Sequence, residues 1–217
     1  MYEKIYQPFN LKNTAICLTL HKRYGMIINK KRGYFIMKTA MRVFAFSNAK
    51  KIAFCAVFAA LVCIGTYVIV IPLPHGYANI GDTFVLLAGW CLGGVYGAIA
   101  GAFGSALADI MSGYAIYAPA TFLIKGLTAI LAWLVCKACK KAIRKDALDF
   151  ITRTVSAVVA ELCMVAGYFL FECILYGFAG GVATLVGNSL QGGLCIVCAV
   201  ALFSALKPVL DKYFFKR

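Results

Sequence analysis

Five apolar stretches separated by short polar interruptions run from residue 52 to residue 206 of this chain. A membrane-spanning helix takes about 20 apolar residues. Residues 52–71, 119–136, 154–176 and 182–206 each fit one such helix. The stretch 83–117 is too long for one helix and tight for two at about 1.5 Å per residue. Its middle is crowded with Gly89, Gly93, Gly94, Gly97, Gly101 and Gly104. Between the first two stretches lies the polar run "GYANIGD", from Gly76 to Asp82.

Composition decides what surrounds these stretches. The chain is 63% hydrophobic over 217 residues, against about 45–50% in an ordinary soluble domain. A soluble core of this size cannot hide so much apolar surface, so the expected solvent is lipid. The fold class read from the pattern is all-α, a polytopic membrane protein. Charge then sets the number of passes. Of the 22 Lys and Arg, eleven precede Ile52, six lie between Lys137 and Arg153 and four between Lys207 and Arg217. The interruptions 72–82, 112–118 and 177–181 carry none. Cations gather on the cytoplasmic side of membrane proteins. Treating 83–117 as two short helices puts all of these clusters on one face, and treating it as one helix does not. The expectation is therefore six transmembrane helices with both termini cytoplasmic. The domain divisions follow: 1–36 as a disordered extension or an over-long start, 37–51 as a basic cytoplasmic N-terminus, 52–207 as the membrane domain and 208–217 as a basic cytoplasmic tail.

The net charge of +14 comes from these flanking clusters, not from a basic face interleaved with aromatics, so it does not point to nucleic acid. Most of the ten cysteines sit inside apolar runs, where Cys is a small hydrophobe. The pairs Cys136/Cys139 and Cys195/Cys198 fall on predicted helices, and only His21 and His75 accompany them, a poor match to a zinc site. There is no G-x-x-x-x-G-K-[ST] loop, so the chain does not itself use ATP in that way. No His lies within a span to activate a serine. Asp82 and Asp109 fall on adjacent helices, and "IGD" partly matches a di-aspartyl protease theme, but the partner motif is missing. Neither catalytic residues nor a cofactor or metal are expected, and the chain is read as no enzyme.

Ionisable groups deep in a bilayer face partners or a cavity. Tracing the six passes puts Asn79, Asp82, Asp109, Tyr114, Tyr117, Lys125, Tyr168, Glu172, Asn188 and Gln191 in the outer half. Only Glu161 is comparable in the inner half. That distribution describes a pocket open to the outside and closed below, rather than an ion path. Asp109 and Lys125 lie at similar depth, placed either for a structural salt bridge or to line the site. Asp82 is placed either to cap the second helix or to touch a ligand, and Tyr114 and Tyr117 either to sit in an interfacial belt or to touch it. The acids outnumber the single Lys, which tilts the pocket toward a neutral or cationic ring. Small residues supply close packing: Gly97, Gly101 and Ser105 repeat every four positions, and Ala56 and Ala60 make an A-x-x-x-A step.

The pieces "GYANIGD", "ALADIMSGY" and "PATFLIKG", in this order within 50–130, together with "NSLQ" at 188–191, resemble the substrate-binding S components of energy-coupling-factor (ECF) vitamin transporters. The similarity is to the riboflavin-type branch, which takes in hydroxymethylpyrimidine and pyridoxine members. The resemblance implies six helices in the bacterial cell membrane, a vitamin pocket near the outer surface and a lid formed by the loop after the first span. It also implies an alanine surface, here Ala56 and Ala60, against a transmembrane coupling subunit, with two cytoplasmic ATPases on separate chains.

Overall fold

The computed structural model describes residues 28–29, 34–35, 40–68, 70–72, 77–142 and 149–210. The chain divides into two units, 1–51 and 52–217. In the first, strands β1 (Ile28–Asn29) and β2 (Tyr34–Phe35) pair antiparallel, Ile28 opposite Phe35. The rest of the expected extension 1–36, the cationic loop at 143–148, Gly76 of the polar run and the tail from 211 lie outside the described residues. Helix α1 (Ala40–Tyr67) begins in this unit.

In the second unit α1 gives way to a hairpin of β3 (Val70–Pro72) and β4 (Tyr77–Asn79), Val70 opposite Asn79. The first apolar run therefore stops being helical at Tyr67, four residues short of the expected 71. Helices α2 (Gly81–Leu92), α3 (Gly94–Met111), α4 (Ala118–Ala142) and α5 (Asp149–Leu210) follow. Among the described residues the fold is all-helical apart from two small hairpins. Four of the five helices are long and apolar enough to cross a membrane, and α2 is a shorter apolar helix. Large apolar side chains cover the outside, Ile174 at 81% exposure and Phe178 at 74% among them. Water would not tolerate such a surface, so its solvent is lipid.

Two glycines break the helical runs, Gly93 inside the continuous stretch 83–117 and Gly177 at the interruption 177–181. Gly93 takes φ 86°, ψ 177° between α2 and α3, a conformation open to glycine and strained for other residues. Gly177 takes φ 76°, ψ 175° inside α5. An unbroken helix would put residues 161 and 192 about 46 Å apart. Instead a Cβ on Gly192 would lie 3.3 Å from the Glu161 Cβ, so the two arms of α5 fold back on each other.

Helix α2 sits at the centre, packed against α3, α4 and α5. Nearly all of it is buried, including Val85, Leu86, Leu87 and Trp90. Between apolar helices in lipid, association depends on close van der Waals packing rather than on the hydrophobic effect. Glycine allows that closeness. A Cβ on Gly97 would meet the Gly89 Cα at 2.8 Å, and one on Gly104 would meet the Ala59 carbonyl oxygen at 2.5 Å. At the end remote from the hairpin, Trp90 stacks edge-on against Phe203, centroids 5.8 Å apart, and donates to Ser156 Oγ at 3.0 Å. Asp149 gathers Lys140, Arg153 and Lys207 there.

One buried polar network ties the centre to the hairpin. Lys125 Nζ on α4 lies 2.7 Å from Asp82 Oδ2 on α2, with side-chain exposures of 4% and 0%. Gln191 Nε2, on the second arm of α5, donates to the same Asp82 oxygen at 2.7 Å. Gln191 Oε1 accepts from the Asn79 backbone N–H at 3.2 Å and from Asn79 Nδ2 at 3.1 Å. Asn79 Oδ1 in turn accepts from the Gly81 N–H at 2.9 Å, and Cys195 Sγ donates to the Asn79 carbonyl. Only one orientation of the Gln191 amide fits, because the other would set its oxygen against a carboxylate.

This geometry bears on two pairs of alternatives. The partner of Lys125 is Asp82, not Asp109: depth can be read from topology, but the direction a residue faces around a helix buried at the centre cannot. Asp82 also does not cap α2, where the Gly81 N–H is taken by Asn79 Oδ1 instead. Its carboxylate is turned inward to the ammonium. A Cβ at Gly81, in the polar run, would collide with the Thr66 hydroxyl.

Two predictions follow from this packing. Gly104→Ala should destabilise the detergent-purified protein by about 1–3 kcal/mol through overpacking. Gly193→Ala, where a Cβ meets nothing within 4 Å, should be neutral or stabilising by up to about 1 kcal/mol. Thermal unfolding of both variants checks the contrast. Lys125→Met should destabilise by about 3–5 kcal/mol, because it strands a buried carboxylate. Combining it with Asp82→Asn should recover part of that loss, and additive losses in the same assay would contradict the pairing.

Candidate binding cavity

Above this network lies a cavity of about 500 Å³, within the usual range for small-molecule sites. Nine of the ten residues expected at the site line it: Asn79, Asp109, Tyr114, Tyr117, Lys125, Tyr168, Glu172, Asn188 and Gln191. Asp82 is not among the lining residues. It lies beneath them and holds Lys125 and Gln191 in place. Asn79 comes from β4, Asp109 from the last turn of α3, Tyr114 and Tyr117 from the turn between α3 and α4, Lys125 from α4, and Tyr168, Glu172, Asn188 and Gln191 from the two arms of α5. Glu161, Tyr168 and Glu172, all on the first arm of α5, separate by depth. Tyr168 and Glu172 line the cavity, whereas Glu161 is buried below it, with no hydrogen-bond donor at either carboxylate oxygen among the described residues.

The wall is aromatic. Tyr168 Oη donates to Thr121 Oγ1 at 3.0 Å, and its ring faces Lys125 Nζ at 5.1 Å. Tyr117 packs edge-on against Phe171 at 5.4 Å and Tyr114 at 6.3 Å, and its hydroxyl lies 3.4 Å from that of Tyr176. Burial, then the Tyr176 hydroxyl and the Glu172 carboxylate, push the Tyr117 phenol above its ordinary range. It therefore remains a neutral donor or acceptor at physiological pH.

The polar groups differ in how far the protein satisfies them. Lys125 is held by Asp82. Glu172 accepts from Thr184 Oγ1 across the Gly177 break. The Thr121 hydroxyl accepts from Tyr168 and lines the same cavity as Asp109. One oxygen of Asp109 and the Asn188 Nδ2 have no hydrogen-bond partner among the described residues.

The sequence reading did not include Thr66, Thr121, Tyr176 and Thr184, which also line the cavity. Two of them carried a usable signal. Thr121 precedes Lys125 by four residues and Thr184 precedes Asn188 by four, so each shares a helical face with a residue already singled out. Thr66 had no such marker. Tyr176 is the last residue before the Gly177 break. Outside the cavity, Ala56 and Ala60 both lie exposed on α1.

Comparison with known proteins bears on a membrane bundle with one polar cavity. Residues 46–208 match the family model described as "ECF-type riboflavin transporter, S component". A Pyrococcus woesei protein described as an uncharacterized protein in a gap 3' region is 31% identical over 157 residues, covering 69% of this chain and 99% of that protein. The Lactococcus lactis subsp. cremoris (strain MG1363) thiamine precursor transporter HmpT is 26% identical over 175 residues, covering 79% of this chain and 94% of its own. A family match over three-quarters of the chain, joined to apolar helices around this cavity, makes the protein a membrane transport component rather than an enzyme: it belongs to the S-component family of ECF-type riboflavin transporters.

Proposed function

We propose that this chain is the substrate-binding subunit of an ECF-type importer in the bacterial cell membrane. It captures a water-soluble vitamin or vitamin precursor, of the riboflavin, pyridoxine or hydroxymethylpyrimidine class, from the outer face. A separate transmembrane coupling subunit and two cytoplasmic ATPases then drive delivery. The observation that carries this reading is the cavity of about 500 Å³. It is lined by tyrosines, amides and carboxylates and closed below by the Asp82–Lys125 pair. Soluble heterocycles with several hydrogen-bonding groups suit such a lining.

The orientation rests on charge. If α2 and α3 cross as a pair and α5 crosses twice around Gly177, the chain makes six passes. The clusters before Ile52, between Lys137 and Arg153 and after Lys207 then share one face, and the positive-inside tendency makes that face cytoplasmic. The cavity, at the hairpin end, opens on the other side. The β3–β4 hairpin, tied to Gln191 through Asn79, acts as its lid. Ala56 and Ala60 form the small-residue surface that receives the coupling subunit.

Mass spectrometry of the purified protein should detect a co-purifying vitamin or precursor, and titration of the stripped protein should restore it at one site per chain. Asn188→Ala should weaken that binding by about tenfold while leaving the fold intact, the loss expected for one hydrogen bond; unchanged affinity would move the ligand elsewhere. Ala56→Trp should abolish uptake in cells without affecting ligand affinity in detergent, and retained uptake would reject the partner surface.

A further inference from the structure

The charges around the cavity do not cancel. Asp109, Lys125 and Glu172 line it. The Lys125 ammonium is already committed to Asp82, 2.7 Å away and as deeply buried. Among the described lining residues there is no other cation, so two carboxylates face the cavity uncompensated. Glu161, buried below, adds none of the missing positive charge.

Asp109 is the more demanding of the two. It is 6% exposed, and one of its oxygens has no donor among the described residues. Glu172 has Thr184. Asn188, on the second arm of α5, presents the opposite need, an N–H without an acceptor. Four tyrosines, Tyr114, Tyr117, Tyr168 and Tyr176, supply ring faces and edges between these groups. Such rings attract cations through their quadrupoles. A cavity that lacks donors at a buried carboxylate and an acceptor at an amide, inside an aromatic wall, is complementary to a flat ring bearing an amine and a ring nitrogen.

We propose that the cavity takes an aromatic nitrogen heterocycle carrying an exocyclic amine, that the Asp109 carboxylate accepts the amine N–H, and that Asp109 sets the preference for amines over hydroxyl and carboxylate analogues. This rests on the vitamin-binding reading and adds the charge character of the ligand. Asn188 meets the ring nitrogen. A ligand carboxylate or phosphate at the same place would lie against Asp109 with Lys125 unable to turn from Asp82, and is rejected.

The experiment uses matched probes on the purified full chain at constant pH, followed by calorimetry. One series is pyridoxamine, pyridoxine and 4-pyridoxic acid. A second pairs 4-amino-5-hydroxymethyl-2-methylpyrimidine with its 4-hydroxy counterpart, and riboflavin serves as a neutral ring without an exocyclic amine. In at least one series the amine should bind about tenfold or more tightly than its hydroxyl partner, as expected where a site is built around one donor, and the acid should not bind. Asp109→Asn should bring amine and hydroxyl to within about threefold, chiefly by weakening the amine. Asp109→Ser gives a second variant with the same expectation, and the wild-type ranking stands without either. Preference for riboflavin, for a hydroxyl or for the acid would overturn the inference while leaving vitamin binding in place. An unchanged amine-to-hydroxyl ratio in the folded variants would overturn the role of Asp109. Binding of none of the probes would overturn both this inference and the vitamin reading.

Discussion

A carboxylate and an ammonium 2.7 Å apart, both almost fully buried in a lipid-facing bundle, impose the strictest constraint in this molecule. Neither group can be left alone in an apolar setting without a loss of several kcal/mol. Because Asp82 belongs to α2 and Lys125 to α4, the pair fixes the register of those helices. Because the same Asp82 oxygen also takes Gln191, it fixes the second arm of α5 as well. Gln191 then has its amide oxygen directed at Asn79, so the hairpin inherits its position from a salt bridge two residues removed. The floor of the cavity and the attachment of the hairpin are one network.

That network needs α2 to be reachable from three sides, and the glycines make it so. Gly89 brings the α4 backbone onto α2, with the Ala129 carbonyl oxygen 2.5 Å from where a Cβ would stand. Gly97 brings α3 onto Gly89. A bulkier residue at either place would push the neighbouring helix outward, and the Lys125–Asp82 distance would open with it. Close packing and charge pairing are thus mutually dependent here: the small residues bring the charges together, and the charges hold helices that lipid would otherwise solvate equally well.

Much of this was legible in the chain because hydropathy and charge report depth. The glycine-rich stretch 83–117 divides at Gly93, and the outer polar set gathers at one cavity with Asp82 directly beneath. What sequence could not report was azimuth and backbone conformation. Asp109 and Lys125 share a depth, so pairing them was reasonable, yet the central position of α2 gives Lys125 to Asp82. The hairpin at 70–79 is invisible to hydropathy, since "VIVIP" continues the apolar run of α1 in composition while its backbone extends. Threonines such as Thr66 are common in apolar helices and carry no signal until a neighbour four residues away supplies one, as Lys125 does for Thr121.

A floor whose charges pair with one another separates folding from recognition. Asp82, Lys125, Gln191 and Asn79 exchange their strongest bonds among themselves, so their charges stabilise the bundle whether or not a ligand is present. The groups left wanting, Asp109 and Asn188, together with Glu172 and the tyrosines, sit above that floor, on the last turn of α3 and around the Gly177 break. Substitutions there alter what the cavity complements without disturbing the pair beneath it. On the proposed reading, the helices are held by charges that pair with one another and the ligand is selected by the polar groups above them, which gives a physical reason for one sequence to match both a family described by riboflavin and a relative described by a thiamine precursor.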